Sequence, residues 1–232
     1  MLEDFNQQQA YRRNQSHFVF DIETGALDID ALKKIEPVHR APANLRDPDK
    51  IAAAVAQRRK DWFDKAALSP LTGRILAIGI KRVGDTEHTI LTGPEQTILE
   101  EFWRLRSDNH PATWVGHNIM SFDLPFIARR CWLHGITLPL KFWKGNRFDR
   151  DEWVDTMALW SCGQTGCNAS KISLDNMARF FGVGAKTGDG AHFANLFDTD
   201  RDAAINYLKN DLDLTEAVWL KVGQIGNPIG TE

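Results

Sequence analysis

The run His17–Glu23, HFVFDIE, constrains this chain more than any other segment. Phe18, Val19, Phe20 and Ile22 leave no polar face, so the run reads as a central strand covered on both sides. It ends in two acids followed by Thr24-Gly25. Asp21 and Glu23 stand at i and i+2, so on a strand both carboxylates point to one face. Two like charges gathered at the end of an apolar strand repel, and burial sharpens the repulsion. A bound cation resolves the conflict, and hard oxygen ligands favour magnesium or manganese. A strand end that simply runs into solvent is the other reading, and the triplet alone leaves both open.

The remaining pattern is that of an α/β protein. Strands are expected at Arg74–Arg82 and Glu87–Leu91, split by a hairpin-like Val83-Gly84-Asp85, and at Thr113–Gly116. Helices are expected over Pro94–Arg106, Leu124–His134, Ser173–Phe181 and Asp200–Val222. Asp198 or Thr199 is the expected cap of the last helix, and Gly223 its stop. This order predicts a mixed sheet with helices on both faces. Ala26–Pro70 interrupts it with a proline-marked extended lead-in (Pro37, Pro42, Pro48) and a helix over Asp49–Leu68. It reads as an insertion between the first two strands of a single domain spanning residues 1–232, with a core over 16–223. At 232 residues the chain can bury a full core unaided. Three cysteines do not make a disulfide framework. The opening MLEDFNQQQA is not a signal sequence and no apolar run reaches membrane length, which predicts a cytoplasmic or at least intracellular protein with no membrane contact.

Two further segments carry polar side chains of interest. Asn118-Ile119-Met120-Ser121-Phe122-Asp123 places an Asn at a strand exit and an Asp at a helix start. Taken alone, it fits a simple loop with Asp123 as a cap. Tyr207 and Asp211 stand at i and i+4 of the last helix, so phenol and carboxylate share a face. An isolated pair of this kind fits a half-buried core tyrosine beside a solvated acid equally well.

The three segments in this order resemble the DEDD superfamily of 3′–5′ exonucleases, which has a ribonuclease H-like fold. Asp21 and Glu23 match its first motif, Asn118 to Asp123 the second, and Tyr207 to Asp211 the third. Tyr four residues before the last Asp is the DEDDy variant; the position where a DEDDh enzyme has His is Asn206. Leu68-Ser69-Pro70 and Ser173-Leu174-Asp175 make the chain most similar to stand-alone exonucleases related to the proofreading domain of family B DNA polymerases. The resemblance implies phosphodiester hydrolysis with two divalent cations, Mg²⁺ or Mn²⁺, about 3.5–4 Å apart. It implies that Asp21, Glu23 and Asp211 hold one ion, that Asp21 bridges to the second, and that Asp123 reaches the second directly or through water. Tyr207 would orient the attacking water, being too weak an acid to serve as a base at neutral pH. Thr24 would receive the 3′-hydroxyl, and Asn118 and Phe122 the terminal nucleotide, Phe122 fitting core packing equally well. Lys186 sits in the glycine-flanked loop Gly184–Gly188, where it suits either a phosphate contact or plain solvation. The implied substrate is single-stranded DNA, with RNA trimming or non-catalytic nucleic-acid binding as alternatives. A polymerase or another replication or repair partner would act in trans.

A net charge of −3 argues against a globally basic nucleic-acid surface, but the charges are segregated. Asp198–Glu216 carries six acids and two bases, whereas Arg129–Arg150 carries six bases and one acid, interleaved with Trp132, Phe142, Trp143 and Phe148. The latter composition suits a single-strand groove. Cys131, His134, Cys162 and Cys167 have a permissive zinc-like spacing, weakened by the placement of the first two on an amphipathic helix. His117 is expected to brace the strand exit rather than to act as a base, and most of the eight tryptophans to be core or interface residues.

Overall fold

The structure is a computed structural model describing residues 16–138, 152–162, 164, 171–188, 190 and 193–223. Its centre is the first strand, β1 (Ser16–Ala26), in a five-stranded sheet of order β3-β2-β1-β4-β5. β2 (Gly73–Arg82) runs antiparallel to β1, and β3 (Thr89–Thr92) antiparallel to β2. β4 (Ala112–Gly116) and β5 (Trp153–Asp155) continue the sheet in parallel on the other side.

The unbroken apolar run in β1 is explained by its two covered faces. Phe18, Phe20 and Ile22 point into a core with Ile98, Leu99 and Phe102 of α3 (Glu95–Asp108) and Phe126 and Ile127 of α4 (Asp123–Leu133). Val19 points the other way, against Val115, Val154 and Leu212. Asp21 and Glu23 follow Val19 in the two-residue period, and so they face the helix that carries Leu212.

Between β1 and β2 lie α1 (Ile29–Ile35), α2 (Pro48–Asp64) and a 3-10 turn (Ala66–Leu68). The expected helix over Asp49–Leu68 is thus two pieces, and the lead-in contains a helix that proline spacing did not announce. No residue of α2 is buried. It is tied down by Arg59 forking onto Glu36 at 2.6 and 3.1 Å and by Trp62 edge-on to His39. Three more short elements escape the sequence pattern: β5, α5 (Thr156–Trp160) and α7 (Phe193–Thr199). Elements this short do not complete a hydrophobic period.

α6 (Leu174–Phe181) starts where Ser173 Oγ accepts Asn176 N–H and stops at Gly182, φ 65°. α8 (Arg201–Val222) closes the fold, capped by Asp200 accepting Ala203 N–H rather than by Asp198 or Thr199. It lies on the face to which Asp21 and Glu23 point. Gly79, paired with Asp21, lets it approach: a Cβ there would stand 2.8 Å from Leu212 Cδ1 and 2.9 Å from Leu208 Cγ. Gly79→Val should therefore lower stability by about 1–3 kcal/mol through overpacking, read as a lower denaturant midpoint with an unchanged slope.

Candidate active site

Three elements converge at the carboxyl end of β1. β1 supplies Asp21 and Glu23, α4 begins with Asp123, and α8 presents Tyr207 and Asp211 one turn apart. Glu23, Asp123 and Asp211 are buried; Asp21 keeps a partial opening to solvent. One carboxylate oxygen each of Asp21, Glu23 and Asp211 lies within 4.8 Å of the others. Asp123 stands against the same strand from the other side of Ile22, its Oδ1 accepting Ile22 N–H at 3.1 Å.

The second segment owes its shape to an acid the sequence did not mark. Asp155, buried at the end of β5, accepts Asn118 N–H at 2.9 Å and Met120 N–H at 3.0 Å while capping α5 through Met157 N–H. Asn118 thereby sits at φ 65°, a left-handed conformation that Asn tolerates better than most residues. His117 braces the same exit. Burial lowers its pKa, so the ring is neutral at pH 7. Its Nε2–H donates to Ile172 O at 2.8 Å, leaving Nδ1 to accept from the Thr156 hydroxyl at 2.9 Å.

The expected substrate contacts are distributed unevenly. Thr24 donates its hydroxyl to Ala67 O at 2.8 Å, so only its lone pairs remain for a ligand. Phe122 is half-buried against Phe126, ring centroids 5.6 Å apart. Lys186 is not a solvated loop lysine. Its Nζ is 2.6 Å from Asp211 Oδ2 and 5.3 Å from the centre of the Tyr207 ring. The loop carrying it folds over Tyr207, where a Cβ on Gly188 would stand 3.1 Å from the ring.

The basic run is only partly what its composition suggested. Arg129 is exposed, but Arg130 is buried and forked onto Glu95, so it is lost to a surface groove. Lys141, Phe142, Trp143, Lys144, Arg147, Phe148 and Arg150 lie outside the described residues, as does Cys167. Cys131 Sγ accepts Trp103 Nε1–H at 3.2 Å and His134 pairs with Glu95, so neither is disposed as a zinc ligand.

The electrostatics of the cluster are those of crowded, desolvated acids. Burial first, and then the Asp211 charge, push Asp21 up from 3.8 to about 7. Burial and the charges of Asp21 and Asp211 raise Glu23 well above its ordinary value, and burial and Asp21 do the same for Asp123. Asp211 is raised by burial although Lys186 pulls it down. Burial opposes the charge on Lys186, but Asp211 outweighs it and holds the ammonium above its usual range. Among the described residues, Asp211 Oδ1 is buried without a hydrogen-bond partner, and the Tyr207 hydroxyl is buried without a well-formed one. Clustered hard oxygens, mutual repulsion and an orphaned carboxylate oxygen fit a divalent cation.

With this geometry in place, known proteins supply the context. Residues 72–231 match a family model described as a predicted 3′–5′ exonuclease related to the exonuclease domain of PolB. The chain belongs to this family. A solved family B DNA polymerase from the hyperthermophilic archaeon Pyrobaculum calidifontis shares its fold, with a TM-score of 0.55 at 16% identity over 89% of this chain. The exonuclease-family chain spans 24% of that polymerase. A search of curated proteins finds no match. The mixed sheet and its helices are thus the ribonuclease H-like arrangement that the motifs led one to expect. Among the described residues, no helix is long and apolar enough to cross a membrane.

Raised carboxyl pKa values fix the sign of a pH effect. A carboxyl that binds its proton more tightly when folded favours the folded state while protonated, and that advantage is lost as pH rises from the unfolded to the folded value. For Asp21 the window runs from 3.8 to about 7. In the presence of chelator, the melting temperature should fall between about pH 5 and about pH 7.5, and Asp21→Asn should flatten the slope.

Proposed function

We propose that this protein is a metal-dependent 3′–5′ exonuclease that hydrolyses phosphodiester bonds from the 3′ end of single-stranded DNA. The carrying observation is the convergence of Asp21, Glu23 and Asp211 within 4.8 Å, with Tyr207 one helical turn before Asp211. Asp21, Glu23 and Asp211 would hold one Mg²⁺ or Mn²⁺, and Asp21 with Asp123 a second. When bound, such ions supply positive charge that acidifies water and stabilises the pentacoordinate phosphate.

The chain's own groups divide the remaining work. Tyr207 keeps its proton at neutral pH, because burial raises its pKa further. It therefore orients water by hydrogen bonding and does not take the proton. Lys186 stays charged and offsets Asp211, and its ammonium, with three N–H donors, can also turn one to a phosphate oxygen. Asn118, fixed in its left-handed turn by Asp155, and Phe122, at the start of α4, frame the position of the 3′-terminal nucleotide. Phe122 offers a partly open ring for stacking. Thr24 offers hydroxyl lone pairs to a 3′-hydroxyl donor.

The test is degradation of 3′- and 5′-labelled DNA and RNA oligonucleotides with and without EDTA. Shortening from the 3′ end that EDTA abolishes is expected, with DNA preferred. Activity that survives EDTA or begins at the 5′ end overturns the reading; faster loss of RNA reassigns the substrate. Asp21→Ala should fall to background, whereas Tyr207→Phe should lose about 10²-fold in turnover and keep a residue of activity.

A further inference from the structure

The β1–β2 ladder has one irregularity, and it sits beside the acids. Glu23 pairs with Ala77 and Thr24 with Ile75, so Leu76 is an extra residue on β2. A bulge of this kind re-aims side chains and leaves backbone groups without ladder partners. Leu76 and Ala77 consequently fall in the same cluster, against Tyr207 and Leu208. Ile75 turns to the opposite face, with Ile22, Ile98 and Leu99. The close fit extends to Gly25, where a Cβ would stand 2.7 Å from Leu76 Cδ1.

The amide of Ile75 donates to Glu95 Oε1 at 2.7 Å. Glu95 is the first residue of α3 and also takes both prongs of Arg130, at 2.8 and 2.5 Å. Arg130 Nη1 reaches Pro70 O at 3.0 Å, in the turn whose Ala67 O holds the Thr24 hydroxyl. His134 Nε2 completes the set, 2.9 Å from Glu95 Oε2. The Glu95 and Arg130 side chains are 9% and 6% exposed, so water offers neither an alternative partner. Neither side chain joins the carboxylate cluster, yet the network terminates at the bulge and at the turn beside Thr24.

We infer that Glu95, held by Arg130, is a positioning residue for the active site. It locks the bulge that sets Glu23 and Thr24 on one strand and Leu76 against Tyr207 on the other. An ion pair that merely joined α3 to α4 would stabilise the fold without a specific hold on residues 23–25 and 75–77.

Glu95→Gln keeps size and one acceptor but loses the charge that gathers three donors. Residue-resolved amide exchange should quicken at least about 10-fold at 23–25 and 75–77, with Phe18–Asp21 and Gly79–Arg82 unchanged. Turnover on a 3′-labelled DNA oligonucleotide should fall about 10-fold or more with KM within about threefold. Ile127→Val, in the core of α4, serves as a control that lowers the melting temperature and does neither. Arg130→Lys, which keeps the charge and loses the fork, should shift exchange in the same residues and stands in if Glu95→Gln does not fold. Unchanged exchange at the bulge, exchange quickened uniformly along the ladder, or equal losses in the control overturns the inference. The turnover arm rests on the nuclease reading and the exchange arm does not: an inactive wild-type protein counts against that reading, and the inference is then decided by exchange alone.

Discussion

Four carboxylates crowded at the end of one buried strand are the constraint around which this fold is arranged. Their charges repel, and burial raises the pKa of each above its ordinary value. Left to local preference they would separate, so the surrounding structure must hold them against their own electrostatics. The sheet does so for Asp21 and Glu23, which cannot rotate off their face without breaking the ladder to β2. Asp123 is held by the Ile22 amide and Asp211 by Lys186. Strain of this kind, borne by a site and offset by the scaffold, is characteristic of functional clusters.

The supports come from outside the cluster and are mostly backbone-directed. Asp155 gathers the amides of Asn118 and Met120 and caps α5 with the same carboxylate. Glu95 captures a single unpaired strand amide. Gly79 contributes only the absence of a side chain, which brings α8 down onto the sheet. A backbone-directed support fixes position through the main chain, and the charge of Asp155 adds to the repulsion on Asp123 while that of Glu95 is taken up by Arg130.

The strand, its paired acids, the helix carrying Tyr207 and Asp211, and the loop ending at Asp123 were legible in the sequence because each repeats a period or joins an acid to an element end. Register was not. Nothing in RILAIGIKR says that Leu76 is an extra residue, because the run is apolar at nearly every position and alternation cannot mark a slip. Asp155 carried a faint signal, an acid before a short helix, but its reach to Asn118, 37 residues away, is set by β4–β5 pairing. Arg130 misled for a related reason: composition counts a cation, whereas only tertiary structure shows that it is buried on Glu95. Lys186 was noticed as a loop cation, but its partner Asp211 becomes visible only when the glycine-bearing loop lies over α8.

The helix α2 runs for 17 residues without burying one of them. Its attachments are an exposed ion pair and aromatic edges within the same excursion, and such contacts contribute little to global stability. The β1–β2 ladder that brackets it draws on hydrogen bonds and side chains from elsewhere. The helix is therefore separable from the rest of the excursion, whose Ala67 and Pro70 carbonyls stay tied to Thr24 and Arg130: it can be lengthened, exchanged or shed over evolutionary time while the sheet and its acids stay where they are.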